Sequence, residues 1–410
     1  MSAEKGHFEE GHQPPVSHQS KTPGKQTELP KEAINDQLPT DDGGYQPYVA
    51  AGKLKGKKAL ITGGDSGIGR AVAILYAMEG AESSIIYTPD EEKDAQETKE
   101  MVEAKGGKLH LFSADLKSHQ ACKNVAEKAK ETMGKINILV LNHGTQMMVE
   151  TIDDLTEDQW INTFNVNIHP FFFLSKYILP QMSRGDTIIT CASVNPYVGR
   201  PDLLDYTATK GAIVAFTRAL SNQQISKGIR INAVCPGPIW TPLIPATMNE
   251  KAQKEFTSPM GRPGQPVEVA TCFVFLASKD SSFISGQSLH PNGGTQSFSK
   301  FWFRWWMVGE LRSGSAQFVG GRRFVVWRCG CWLFVGIGNE EEGEGRGGGG
   351  WSKEDVVCNT VFHVTKSISA QISKRVPLRD CMERIKGSGW NMERLTNAKI
   401  QAWRGRRSDG

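Results

Sequence analysis

Six short apolar runs, separated by helical patterns, lie between Lys57 and Gly237, and this alternation constrains the fold more than any other feature of the chain. The runs are Ala59 to Thr62, Ser83 to Thr88, "KLHLFSAD", "INILVL", "GDTIITCASV" and "GIRINAV". Each is short enough for a strand and apolar enough to be buried on both faces. Between them, Ile68, Val72, Ile74 and Leu75 mark the apolar positions of one helix, and "DEEKDAQETKEMVEAKG" and "SHQACKNVAEKAKETMG" read as charged surface helices. Alternation of this kind over about 240 residues predicts an α/β fold. The expected architecture is a doubly wound parallel sheet in three α/β/α layers, forming one domain from about 55 to 297, without internal repeats.

The flanks differ in character. Residues 1–54 hold six prolines before position 50 and almost no aliphatic periodicity, which predicts an extended or disordered arm. The N-terminus has no apolar signal core, and Glu4, Glu9 and Glu10 stand where an import peptide is poor in acids, so a cytoplasmic protein is expected. His7, His12 and His18, spaced by five and six with no cysteine nearby, read as coincidence and not as a metal site. A net charge of +4 over 410 residues, without a basic run interleaved with aromatics in the first 300, gives no reason to expect a nucleic-acid partner. Cys122, Cys191, Cys235 and Cys272 lie far apart, as reduced, buried thiols do in a reducing compartment.

Past Ser297 the composition changes. Residues 301–410 hold eight of the ten tryptophans, followed by Glu/Gly low complexity. Three readings of 298–410 compete. One is an interfacial membrane element, although "FVVWRCGCWLFVGIG" has only 15 residues and includes Arg328, too short for a span. The second is a binding appendage for an acidic partner, given seven arginines in the last 60 residues. The third, which the erratic composition favours, is a gene-model artefact from a retained intron or shifted frame. Cys329 and Cys331 lack a second pair at zinc spacing. No membrane is expected for 1–297.

The glycine pattern Thr62-Gly63-Gly64-Asp65-Ser66-Gly67-Ile68-Gly69 falls where the first strand turns into the first helix. Gly63 and Gly67 permit a tight turn and close approach, Gly69 lets the helix pack on strand backbone, and free amides at a helix start can hold a pyrophosphate. Asp115 ends the third strand and Asn142-His143-Gly144 the fourth, at the carboxyl edges where open α/β sheets bind ligands. Asp115 also suits a helix cap. His143 reads as a packed or locally bonded loop histidine, since nothing in the sequence supplies a partner to orient it as a base. Farther on, Tyr206 and Lys210 are four apart, so one helix face presents both. An ordinary helix pair would explain them if they stood alone.

They do not stand alone. The glycine pattern, the Asn-x-Gly after the fourth strand, Ser193, Tyr206-x-x-x-Lys210 and Pro236-Gly237 together resemble the short-chain dehydrogenase/reductase family over about residues 55–297. The N-terminal arm, "PDEEKDA" and "SLHPNGG" resemble its glucose and ribitol dehydrogenase homologue branch. The resemblance implies a Rossmann-like fold, an NAD(P) cofactor, an alcohol or carbonyl substrate and a homotetramer. It implies Asn167, Ser193, Tyr206 and Lys210 as the catalytic set, Asn165 being a neighbour easily mistaken for Asn167. For the cofactor it implies Gly63, Asp65, Ser66, Gly67, Ile68, Gly69, Tyr87, Asp115, Leu116, Asn142 and Gly144, then Tyr206 and Lys210, and the loop of Pro236, Gly237, Ile239 and Thr241. The family's usual Asn-Asn-Ala-Gly is here Leu141-Asn142-His143-Gly144, which implies an altered pocket wall.

The residue types fit that chemistry. A phenol with a pKa near 10 becomes a base near neutrality only if its anion is stabilised, at about 1.4 kcal/mol per pKa unit. An ammonium one turn away, beside a positively charged nicotinamide, supplies this. Tyr206 would then exchange a proton with the substrate oxygen, Ser193 would polarise that oxygen, and Asn167 would anchor a water leading from Lys210 to solvent. No metal is required. The second strand ends Tyr87-Thr88, with Asp90 two residues late for the ribose carboxylate of an NAD site. Ser66 stands where NADP users often carry a basic residue, and the missing acid tips the expectation slightly to NADP over NAD. Ser193, Asn195 and Tyr206 are the expected substrate contacts, with Tyr197 and Asp205 as further polar lining suited to a sugar or polyol. The segment "IPATMNEKAQKEFTSPMGRPGQP" reads as a lid. The rival readings are a nucleotide-binding scaffold without turnover and an enzyme for lipid or steroid alcohols.

Overall fold

All five residues of Thr187–Cys191 and of Arg230–Val234 are buried, as strands covered by helices on both faces must be. The computed structural model describes residues 5–42 and 44–295, and the backbone of 317–319, 322–329, 332–339 and 361–363. They fall into two compact units, 1–300 and 301–410. In the first, seven strands form one parallel sheet: β1 Lys58–Thr62, β2 Glu82–Tyr87, β3 Lys108–Ser113, β4 Ile138–Leu141, β5 Thr187–Cys191, β6 Arg230–Val234 and β7 Ser288–Leu289. Their order is β3-β2-β1-β4-β5-β6-β7. The chain works outward from β1 to β3, then returns to pair β4 with the other side of β1, so the sheet is doubly wound with its switch point between β1 and β4.

Seven longer helices cover the sheet: α1 Gly67–Met78, α2 Glu92–Ala104, α3 His119–Met133, α4 Glu157–Asn167, α5 His169–Ile178, α6 Leu204–Gln224 and α7 Pro266–Ala277. Strand side chains alternate between two cores. Ile61, Ile85, Val140 and Ile189 pack with Val72 and Leu75 of α1 and Phe273 of α7. Their neighbours Leu60, Ile86, Leu139 and Ile188 pack with Ala129 of α3, Leu174 of α5 and Ile213 of α6. The two residues of β7 lie beyond the six runs read from the sequence.

The arm lies in the same unit, held by apolar contacts of Phe8, Leu29, Ala33, Ile34 and Leu38 and by polar ties. Ser17 and the Gln253 amide exchange two bonds, of 3.1 and 2.8 Å. Gly11 donates to the Gly261 carbonyl at 2.7 Å and Trp240 Nε1 to the Lys31 carbonyl at 3.0 Å. A small antiparallel pair, Gln37–Pro39 with Tyr45–Pro47, completes it. The arm thus runs along the rest of the first unit and is tied to it at points far apart in sequence.

In the second unit, Gln317–Val319, Arg322–Cys329, Trp332–Asn339 and Val361–His363 form a four-stranded antiparallel sheet. Its side chains, and most of the residues on which the three readings of the tail rest, lie outside the described residues. Among the described residues no helix is long and apolar enough to cross a membrane.

Candidate active site

A cleft of about 920 Å³ opens at the carboxyl ends of the strands, over the β1–β4 switch point. One threonine ties the two central strand ends together. Thr62, the last residue of β1, accepts from the Asn142 and His143 amides at 2.9 and 3.2 Å, and Asn142 Nδ2 returns a bond to the Gly63 carbonyl at 3.1 Å. His143 is a strut. Its Nε2 stands 3.0 Å from the Val166 carbonyl and its Nδ1 2.7 Å from Thr62 Oγ1. A carbonyl only accepts, so Nε2 carries the proton and Nδ1 accepts from the threonine hydroxyl. Burial, then the nearby Lys210 charge, pulls the His143 pKa down to about 4. The Thr62 partner, 81 residues earlier, was invisible to local sequence reasoning.

The glycine turn follows β1. Gly67 opens α1 at φ +49°, and a Cβ on Gly69 would stand 1.7 Å from the Gly63 carbonyl oxygen, so only glycine fits there. Asp65 lines the cleft, and its Oδ2 is buried without a hydrogen-bond partner. Burial, then the charge of Glu91, pushes the Asp65 carboxyl up. A carboxyl oxygen in need of a donor, beside the first amides of a helix, fits the ribose and pyrophosphate of a dinucleotide. Asp65, Ser66, Gly67 and Ile68 would hold that part of it, with Tyr87, Asp115 and Leu116 on the adjoining wall.

Across the cleft, Ser193 follows β5 while Tyr206 and Lys210 project from α6. Lys210 Nζ donates to the Cys191 carbonyl at 2.9 Å and stands 5.4 Å from the Tyr206 ring centre. The Asn195 amide donates to Ser193 Oγ at 3.1 Å, which leaves the serine O–H free to donate. Burial pushes the Tyr206 phenol above its ordinary value, and a hydrogen bond with Ser193 pulls the other way. Burial pulls the Lys210 ammonium down. In the protein alone desolvation therefore sets the direction for Tyr206, and the stabilisation of the phenolate expected from Lys210 does not.

Asn167 is fully buried at the end of α4. Its Nδ2 donates to the Thr145 carbonyl and Thr209 Oγ1 at 2.9 and 3.0 Å, and its Oδ1 accepts from the Thr145 amide at 2.8 Å. Asn165 bonds His169 instead, at 2.9 Å. A Cβ on Gly144 would stand 3.3 Å from Lys210 Nζ and 3.4 Å from Asn167 Oδ1, so bare backbone passes between the two.

Asn142, Gly144, Asn195, Pro236, Gly237, Ile239 and Thr241 also line the cleft, whereas Gly69 and Asn167 act from behind its wall. Two side chains read as polar lining point elsewhere. Tyr197 bonds Ser288 at 3.3 Å and packs edge-on against His290. Asp205 accepts from Thr163 Oγ1 at 2.7 Å and Gln159 Nε2 at 3.2 Å, facing α4. The polar lining comes instead from Gln146, Asn162, Arg200, Asp202 and Asn249. Thr22 and Pro23 of the arm line the cleft as well. Nothing in their local sequence marks them. Among the described residues no group of three or more His, Cys, Asp or Glu side chains is placed to hold a metal ion.

A family model described as enoyl-(acyl carrier protein) reductase matches residues 63–296. Glucose and ribitol dehydrogenase of Daucus carota is 48% identical over 280 residues, covering 66% of this chain and 96% of the relative. NADPH-dependent aldehyde reductase 1, chloroplastic, of Arabidopsis thaliana is 50% identical over 258 residues, covering 61% and 88%. A crystal structure of a short-chain dehydrogenase from Burkholderia cenocepacia in complex with NADP superposes with a TM-score of 0.56 at 28% identity, covering 60% of this chain and all of that one. Likeness in sequence and in fold agree, and the chain belongs to the short-chain dehydrogenase/reductase family, the NAD(P)-dependent oxidoreductases that move hydride between a nicotinamide and an alcohol or carbonyl carbon.

Proposed function

We propose that this chain interconverts an alcohol and a carbonyl in a sugar, polyol or small aldehyde or ketone, with Tyr206 exchanging the proton. The observation that carries the reading is the meeting of Ser193, Tyr206 and Lys210 on one wall of a cleft whose substrate end is polar. The bound nicotinamide would supply or take up hydride. The protein's part is to hold the substrate oxygen between the Tyr206 and Ser193 hydroxyls, to keep a positive charge beneath the phenol, and to fix Lys210 through the Cys191 carbonyl. Asn167 holds the Thr145 backbone and thereby the wall beside Lys210.

The arginine and aspartate of the wall favour a hydroxylated substrate over a lipid or steroid. Arg200 and Asp202 form a two-point pair at 2.6 and 3.0 Å, and a polyol can exchange hydrogen bonds with both partners. The name of the carrot relative points the same way. For the cofactor we favour NADP. No acid ends β2, and two acids that line that end of the cleft, Asp65 and Glu91, are pushed up by burial, which lessens the charge a 2′-phosphate would meet. The Arabidopsis relative's name and the NADP complex add support.

The same reading gives a cytoplasmic homo-oligomer, supported by free cysteines at 122, 191, 235 and 272 and by exposed Trp160 and Ile161 on α4 and Phe172 on α5. Relatives covered almost whole account for about two thirds of this chain. A screen of sugars, polyols, aldehydes and ketones with NADP(H) and NAD(H), read by nicotinamide absorbance, tests the proposal. Turnover of polar substrates supports it. Turnover confined to lipid or steroid alcohols, or binding without turnover, contradicts it.

A further inference from the structure

The start of α1, the helix that faces the cofactor site, is capped from outside its own neighbourhood. Ser66 occupies the N-cap position but its side chain makes no capping bond. Helix starts leave several amides without intrahelical partners, and a nearby side-chain oxygen commonly satisfies one. Here the acceptor comes from the N-terminal arm: Gln26 Oε1 takes the Gly67 amide at 3.0 Å. Gln26 is itself only 5% exposed.

The cap is anchored through α2. The Asp94 carboxylate accepts the backbone amides of Gln26 and Thr27 at 2.7 and 3.0 Å. The Asp94 carbonyl accepts from Arg70 Nη2 at 2.9 Å, and Arg70 Nε donates to the Asp65 carbonyl at 2.8 Å. Thr98 Oγ1 donates to that same carbonyl, also at 2.8 Å. The glycine turn is therefore gripped twice, by its Asp65 carbonyl and by its Gly67 amide, and the second grip belongs to the arm.

The arm also reaches both rims of the cleft. Lys21 pairs with Asp90, just beyond β2, at 3.0 Å. Gln19 donates to the Pro245 carbonyl at 3.1 Å on the opposite, lid side. Immediately after Lys21, Thr22 and Pro23 line the cleft.

We propose that the N-terminal arm is a working wall of the dinucleotide site and that Gln26 is a positioning residue, holding the glycine turn in the shape that receives the pyrophosphate. This rests on the dinucleotide site argued above. Without the cap the Gly67 amide must find another partner, and a turn with more freedom pays an ordering cost when cofactor binds. The effect therefore belongs to cofactor affinity and not to the chemical step.

The test uses the full chain. NADPH and NADH are titrated by fluorescence, alongside steady-state kinetics and unfolding of the cofactor-free protein, for wild type, Gln26→Met and Asp94→Asn. Gln26→Met keeps the length of the side chain and removes the acceptor; Asp94→Asn loosens the anchor without touching the cleft. The expected result is a rise in Kd of about tenfold for Gln26→Met and a smaller rise for Asp94→Asn, with KM for cofactor rising in step and kcat at saturating cofactor kept. Unchanged Kd in both variants overturns the arm proposal and leaves the site reading intact, as does a loss of unfolding midpoint with Kd unaltered. Wild-type protein that binds neither cofactor overturns both.

Discussion

The Lys210 ammonium donates to the Cys191 carbonyl at 2.9 Å and stands 5.4 Å from the centre of the Tyr206 ring, so the end of β5 fixes a positive charge one helical turn from the phenol. Burial nevertheless pushes Tyr206 up and Lys210 down, which leaves the phenol protonated at neutral pH in the protein alone. A protonated phenol suits reduction, where it donates; oxidation needs the phenolate. Across pH 6 to 9 the kcat/KM for alcohol oxidation is expected to climb, while that for carbonyl reduction stays level or falls. Matched initial-rate profiles check this, and an oxidation profile that falls with pH contradicts it.

Ser193 carries a separable prediction. Its oxygen accepts the Asn195 amide at 3.1 Å, which orients the hydroxyl for donation into the cleft. Ser193→Ala is expected to lower kcat by roughly a hundredfold, the usual scale for losing one donor to a developing charge. Cofactor Kd should not move, and titration beside steady-state rates reads both.

Gly69→Ala tests the close approach of helix and turn. The added methyl would meet the Gly63 carbonyl at 1.7 Å, so the turn itself must shift. Overpacking on this scale costs about 1–3 kcal/mol, and the cost falls on the segment that receives the pyrophosphate. Expected are a lower denaturant midpoint and a cofactor Kd at least tenfold higher.

His143 should make stability depend on pH. Its folded pKa, about 4, lies below the ordinary 6.5 because burial and Lys210 disfavour the charged ring. The unfolded chain therefore binds the proton first as pH falls. The stabilisation is present above about pH 6.5 and is lost between there and pH 4, amounting to about 2 kcal/mol by pH 5. Urea unfolding at pH 7.5 and 5.0 should show a smaller loss in His143→Ala than in wild type. Equal losses contradict the account.

The sheet was legible because burial on both faces writes itself as unbroken apolar runs: Ile61, Ile86, Leu139, Ile188 and Ile231 all lie on strands where those runs predict them. β7 was not, since Ser288–Leu289 is two residues long and sits among turn formers. In the site, Tyr206 and Lys210 could be read from helical spacing. The partners of His143, the turn of Asp205 toward Thr163 and the cap from Gln26 could not, because each is a polar bond between positions 23 to 81 residues apart. Such bonds leave no period in the sequence. The same holds for the arm, whose composition predicts little apolar burial, although Ala33 is buried and Phe8, Ile34 and Leu38 pack on the core, and whose backbone and amide ties leave no pattern in the sequence.

The central claim is that Tyr206 handles the proton in hydride transfer. Removing its hydroxyl alone tests this most directly: Tyr206→Phe and wild type are compared for cofactor binding by titration and for turnover of a reactive substrate by nicotinamide absorbance. The account predicts unchanged cofactor Kd with turnover reduced by roughly a thousandfold or more, at the scale of a lost general acid–base. Turnover that survives the substitution within a few fold would contradict it.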